Sequence, residues 1–243
     1  MIDPRAAAVE KMLAGVERIV PVTGGKGGIG KSLVATLLAL AAARHGRSVG
    51  LLDLDLTGPC THLLLGIDDG FPTEEFGIDP AVHDGIRFMS VSCFAGDTPT
   101  PLRGADLTNA LLEILAITRW GKLDALIVDM PPGLGDTTLD TARYLPRAEF
   151  LAVATPSRVV LETVRRTLTL LGRLDLRVAG LVENLGRGDD AATRSLAESC
   201  GVPFLGSIPR DDEVEAATGD RGRLAATEAG RAAETLAERL GLI

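Results

Sequence analysis

The densest chemistry in this chain of 243 residues lies in Gly24-Gly25-Lys26-Gly27-Gly28-Ile29-Gly30-Lys31-Ser32. This run follows an apolar stretch and opens a helical pattern, so its backbone N–H groups would converge at a helix N-terminus, where phosphate binds. Two readings compete. Gly25, Gly27 and Gly30 satisfy G-x-G-x-x-G, and Asp53 lies about twenty residues on, where a dinucleotide fold places its ribose acid. Gly25, Gly30, Lys31 and Ser32 equally satisfy G-x-x-x-x-G-K-[ST], the phosphate loop. Only the second reading supplies an ammonium for the β and γ oxygens of a triphosphate and a hydroxyl for Mg²⁺. A metal-phosphate site also wants an acid at the end of another apolar strand, and Leu126-Ile127-Val128-Asp129 delivers one. The residues therefore point to ATP-type chemistry with Mg²⁺, and an NAD-dependent oxidoreductase is the remote alternative.

The candidate nucleotide-binding set is Gly25, Lys26, Gly27, Gly28, Ile29, Gly30, Lys31, Ser32 and Leu33, and the candidate metal set is Ser32, Asp53, Asp55 and Asp129. Asp55 stands where a carboxylate could orient an attacking water or hold the Mg²⁺ shell, with an N-cap on the next segment as its structural rival. Asp53 is divided between a metal-shell role and a strand-end hydrogen bond. Lys26 is either a solvated turn lysine or a second cation on one anion-binding loop.

The elements that must position these groups follow from periodicity. Apolar, β-branched stretches of strand length run at 18–22, 49–52, 86–91, 125–128, 150–154, 178–182 and 204–208. Helical patterns cover 31–44, 106–120, 159–173, 190–200 and 224–240. Strands buried on both faces and separated by helices predict an α/β fold, a mostly parallel twisted sheet flanked by helices. Asp3-Pro4 and Gly15 bracket a short leading helix within residues 1–15, and 16–243 reads as one domain with no internal linker. Residues 66–85 lack periodicity and read as a loop insertion. The last helical pattern places Ala229, Ala232, Ala233, Leu236 and Leu240 along one small-sided face, suited to packing against the domain and not to a membrane.

Composition narrows the function. Lys and Arg number 25 against 33 Asp and Glu, a net charge of −8 with no cationic block, so a nucleic-acid footprint is not expected. Aromatic residues make up 3%, too few for base-stacking platforms. The longest uncharged apolar run, 33–43, falls short of the roughly 18 residues a bilayer span needs. The first residues lack a signal-peptide pattern, and a cytoplasmic protein is expected. Cys60, Cys93 and Cys200 are widely spaced, which gives no disulfide framework and no closed zinc site.

The stretch Lys26-Gly27-Gly28-Ile29-Gly30-Lys31-Ser32 resembles the deviant Walker A signature of the MinD/ParA class. Leu52-Asp53-Leu54-Asp55 with Gly58-Pro59 resembles the first switch of its Mrp-type branch, associated with iron-sulfur cluster assembly, and residues 129–136 resemble the second switch. Val182-Glu183-Asn184 and residues 201–209 are similar to that branch's C-terminal segments. The resemblance runs from about Arg18 to Leu240. It implies a nucleotide-switched homodimer and a P-loop ATPase fold, with Lys26 reaching across to the partner's nucleotide. Lys31 and Asp55 would join Lys26 in catalysis, and Asp129 would be a magnesium acid. Pro131, Gly133 and Gly135 would form a switch that moves with the γ-phosphate, Asn184 would bind the adenine edge, and Pro209 would pack beside the base. Hydrolysis would be slow and stimulated by an unidentified client protein. One departure bears on the cargo. Mrp-type carriers have a C-P-x-C pair soon after the residue matching Asn184, whereas this chain reads Leu185-Gly186-Arg187-Gly188-Asp189-Asp190. An iron-sulfur cluster ordinarily needs four cysteines. Cys60, beside the first switch, is a candidate cluster ligand set against a buried structural thiol. A positioning or regulatory ATPase that handles no metal is the alternative job.

Overall fold

The computed structural model describes residues 4–55, 58–68, 77–91, 105–133, 142–145 and 147–243. Its strands are β1 Val16–Thr23, β2 Val49–Asp53, β3 Ala81–His83, β4 Ile86–Ser90, β5 Leu123–Asp129, β6 Glu149–Ala154, β7 Arg177–Gly186 and β8 Phe204–Pro209. The helices among the described residues are α1 Pro4–Leu13, α2 Lys31–Arg44, α3 Thr61–Leu65, α4 Ala105–Ile117, α5 Arg158–Arg173, α6 Ala191–Cys200, α7 Glu213–Ala217, α8 Arg221–Ala226 and α9 Glu228–Arg239. The strands make one sheet in the order β3-β4-β2-β5-β1-β6-β7-β8. Every pair is parallel except the β3-β4 edge.

Both sheet faces are covered, which is why the strands read as apolar runs. Within β5 the side chains still alternate: Ala125 and Ile127 join one core, Leu126 and Val128 the other. The first core is closed by α2, α5, α6 and α9, the second by α1 and α4. The leading helix thus contributes to a core, burying Val9 and Leu13, and Arg5 Nη1 donates to Asn109 Oδ1 at 2.8 Å. The small-sided face of the last helix packs as expected, with Ala229, Ala233, Leu236 and Leu240 buried.

Two expectations need correction. Residues 66–85 are not loop throughout, because Ala81–His83 pairs antiparallel with β4 through a turn at Asp84 (φ 47°) and Gly85 (φ 85°). Asp-Gly between short apolar stretches is a hairpin signal, and it stood in the sequence. The single helix expected at 224–240 breaks at Thr227. Its hydroxyl accepts from Gly230 N at 3.0 Å and donates to Leu224 O at 2.7 Å, so it caps α9 while ending α8. At that corner a Cβ on Gly230 would lie 2.4 Å from the Ala225 carbonyl oxygen, which lets the two helices close up tightly.

Candidate functional site

The glycine-rich loop lies between the end of β1 at Thr23 and the start of α2 at Lys31. Its residue Gly30 is left-handed (φ 78°) and forms the N-cap of α2, whose first turn receives no side-chain cap. The intrahelical ladder starts with Val34 N donating to Gly30 O at 3.0 Å, so the N–H groups of residues 31–33 have no intrahelical acceptor and form a cradle for anions. Two neighbours hold the loop. Asn184, on β7, donates from Nδ2 to Ile29 O at 2.9 Å, and a Cβ on Gly30 would lie 2.2 Å from that nitrogen. On the other side a Cβ on Gly25 would come within 2.5 Å of Thr163 on α5. Lys31 is buried within the site, whereas Lys26 is exposed and makes no ion pair among the described residues.

Sheet register brings the acids together. Asp129 on β5 pairs with Val22 on β1 and with Asp53 on β2, so two fully buried carboxylates sit side by side, one and two strands from the strand that feeds the loop. Asp53 is committed to structure. Its Oδ1 accepts from Asp55 N at 3.0 Å, and its Oδ2 accepts from Cys60 N and Thr61 N, each at 3.2 Å, and from Thr61 Oγ1 at 2.7 Å. This carboxylate therefore shapes the segment from Asp55 to α3. Of the two roles the sequence left open for it, the geometry matches the strand-end hydrogen bond. Burial still pushes its pKa up, against the pull of these donors.

Asp129 is the opposite case. Among the described residues neither carboxylate oxygen accepts a hydrogen bond of good geometry. Burial, then repulsion from Asp53, raises its pKa to about 7, although the nearby Ser32 hydroxyl and the Lys31 charge pull the other way. Cys60 is half-buried next to the same Ser32. Desolvation first, and then Asp53, Asp129 and Asp55, push its thiol up. An orphaned carboxylate beside a hydroxyl at a phosphate cradle fits a divalent cation. Such a cation would take the rest of its shell from phosphate oxygens and water, as Mg²⁺ does.

Beyond the loop, a cavity of about 840 Å³ opens at the C-terminal ends of β6, β7 and β8. Thr155, Leu185 and Arg210 mark the three strand ends on its wall. This is where doubly wound sheets take ligands. Asn184 does not open into it freely: it is fully buried, with Nδ2 spent on the loop and Oδ1 buried without a partner. Pro209 is half-buried at the end of β8. In the second switch Pro131 is buried and Gly133 is left-handed (φ 85°), while Gly135 lies outside the described residues. Thr61, Thr163 and Leu185 belong to the site and escaped the sequence reading, since no motif marks them. They enter through register and helix packing.

A family model described as NUBPL iron-transfer P-loop NTPase matches residues 15–240. The chain belongs to that family. The dinucleotide reading of the glycine run is thereby set aside. Among relatives of the NUBPL-type family, an iron-sulfur cluster carrier protein of Aquifex aeolicus is 36% identical over 231 residues, covering 87% of this chain and 62% of that protein. The chain thus spans a little over three-fifths of the length of that curated relative. The nucleotide-binding protein of Archaeoglobus fulgidus, solved in complex with ADP, is 28% identical with a TM-score of 0.74, covering 90% of this chain and 92% of that one. The cell division ATPase MinD of Pyrococcus furiosus is 25% identical with a TM-score of 0.69 over 93% and 98% of the two chains. The mostly parallel, helix-flanked sheet is the fold of these P-loop ATPases. No helix among the described residues is long and apolar enough to cross a membrane.

Proposed function

We propose that the chain is a Mg²⁺-dependent ATPase whose ATP-bound form is a homodimer, and that it serves iron-sulfur transfer. The observation that carries the nucleotide reading is Asp129, a buried carboxylate that accepts no hydrogen bond of good geometry among the described residues, beside Ser32 and Lys31 at an uncapped helix start. The N–H groups of residues 27–33 and the Lys31 ammonium hold the β- and γ-phosphates. Ser32 and Asp129 would hold Mg²⁺, with Asp55 facing its shell. The ion would supply neutralisation of charge on the phosphate oxygens. Asp55 orients a water whose oxygen attacks the γ-phosphorus while the bond to the β–γ bridging oxygen breaks, releasing ADP and phosphate. Lys26, exposed at the loop's tip and without an ion pair among the described residues, reaches the nucleotide of a second copy. When nucleotide binds, the Oδ1 of Asn184, buried and without a partner among the described residues, is uncovered and accepts from a purine amino group, and Pro209 packs beside the base. Residues 16–243 act as one ATPase unit with the leading helix docked on it. Cytoplasmic work with a client protein, without nucleic acid or membrane insertion, completes the reading.

The iron-sulfur part is supported by the family and by relatives named iron-sulfur cluster carrier proteins. Cluster thiolates would come mainly from the client. The segment 185–190 carries no cysteine, Cys60 lies within the phosphate site against Ser32, and Cys200 ends α6. Cys93 lies outside the described residues. That same missing pair favours a second reading, a regulatory or positioning ATPase that handles no metal. Iron and acid-labile sulfide assays after anaerobic reconstitution, with a Cys60→Ser variant alongside, separate the two. Stoichiometric iron and sulfide support cluster handling. Neither bound, with or without an added client scaffold, supports the second job.

A further inference from the structure

We infer that a small polyanion of the carboxylate or phosphate kind binds at the pole of the sheet opposite the phosphate loop, in a cavity of about 440 Å³ to which Arg177 brings a free guanidinium.

Parallel strands give the sheet two unlike poles. The glycine-rich loop leaves the C-terminal end of β1, whereas Arg18, Glu149 and Arg177 stand at or near the N-terminal ends of β1, β6 and β7. Register sets them side by side: Ile19 bridges Ala148, and Glu149 pairs with Arg177. Arg239, at the end of α9, closes the cavity from the helix side, and Val178 and Ala179 add apolar wall. Three guanidinium groups thus share one cavity with a single carboxylate, a local surplus of two positive charges in a chain whose net charge is −8.

Two of the three arginines have structural work. Arg18 Nη1 donates to the carbonyls of Leu240 and Gly241 just past α9, and its Nη2 donates to Glu149 Oε2 at 2.6 Å. Arg239 Nη1 donates to Leu205 O at 2.6 Å, and a Cβ on Gly206 would lie 2.9 Å from that nitrogen, so a glycine makes room for the group. These bonds use part of each guanidinium and fix its position, leaving other N–H groups to offer. Arg177 has no such work. Its side chain is exposed and makes no hydrogen bond or ion pair among the described residues, because its register partner Glu149 is spent on Arg18. Gathered cations repel one another and hold a positive potential over the cavity, and an oxyanion gripped by a guanidinium fork relieves both. The volume falls within the range of small-molecule sites, about 300–1,000 Å³.

The test is titration calorimetry of the full chain with tricarballylate and with inorganic phosphate, at low salt and without nucleotide or Mg²⁺, on the parent, Arg177→Gln and Lys31→Ala, with thermal melts of each. Arg177→Lys, which loses the fork, serves if Arg177→Gln fails to fold. One anion or both should bind the parent saturably at millimolar concentration or below and raise its melting temperature. That affinity should fall about tenfold in Arg177→Gln, equivalent to about 1.4 kcal/mol, and stay unchanged in Lys31→Ala. Tricarballylate behaving in this way identifies a carboxylate ligand, and phosphate a phosphate-bearing one. Affinity that ignores Arg177, or falls as much in Lys31→Ala, puts the anion in the phosphate loop or elsewhere and overturns the inference. So does a folded parent that binds neither anion saturably.

Discussion

Asp129→Asn should stabilise the metal-free protein at alkaline pH while it removes Mg²⁺-dependent nucleotide binding. In the folded chain the carboxyl's pKa stands at about 7 against an ordinary 3.8, first because it is buried and then because Asp53 is alongside. A raised carboxyl pKa means that the folded state binds the proton more tightly than the unfolded one, so stability falls as pH rises from about 4 to about 7 and the penalty is complete above that. A shift of about three units corresponds to a ceiling of about 4 kcal/mol. The asparagine still buries polar atoms, which gives part of this back, so a net gain of about 2 kcal/mol at pH 8 is expected. At pH 4, where the native carboxyl is neutral and nearly isosteric with the amide, parent and variant should be about equal. Urea unfolding in EDTA at pH 4, 6 and 8 measures the difference directly, and calorimetry with Mg²⁺ and ADP measures the loss of binding. A parent whose stability is flat across this range, or a variant less stable than the parent at pH 8, would refute the electrostatic reasoning. Retained Mg²⁺-dependent binding would refute the metal role.

The remaining expectations concern the loop and the switch. Lys26→Ala should leave ADP affinity nearly unchanged but weaken ATP-driven dimerisation by at least about 30-fold, or 2 kcal/mol, as read by sedimentation velocity. Dimerisation like the parent's sinks the cross-subunit lysine. Lys31→Ala should abolish tight nucleotide binding altogether, and calorimetry showing affinity within a few-fold of the parent would contradict the phosphate-loop assignment. Asp55→Ala should keep ATP bound and lose most hydrolysis, because water orientation matters mainly in the transition state; phosphate release at the parental rate would return Asp55 to a structural role. Gly30→Ala should cost about 2 kcal/mol in urea unfolding, since it combines positive φ with a 2.2 Å approach to Asn184 Nδ2. A neutral result would mean the loop is not held as described.

The sequence by itself determined the phosphate-loop motif and seven of the strands. Gly25 to Ser32 between an apolar strand and a helix, and acids closing two other strands, are local patterns, and local patterns survive in one dimension. Each of the seven strands expected appears at its place within a few residues, because burial on both faces leaves a continuous apolar mark. The edge strand Ala81–His83 is too short to leave such a mark, and the break at Thr227 depends on one hydroxyl choosing a cap over a continuing helix turn. What the tertiary structure alone decided is how identical side-chain types divide their work. Asp53 and Asp129 are both aspartates ending parallel strands and are paired in register. The chain folds four donors onto the first, whereas among the described residues neither oxygen of the second accepts a hydrogen bond, so the first is a brace and the second stays buried beside the phosphate loop. Asn184 and Leu185 were parted in the same way, by a bulge between β7 and β8 that strand periodicity does not encode. Donor counts and bulges are set by which backbone groups arrive from distant parts of the chain, and that information exists only once the sheet has closed.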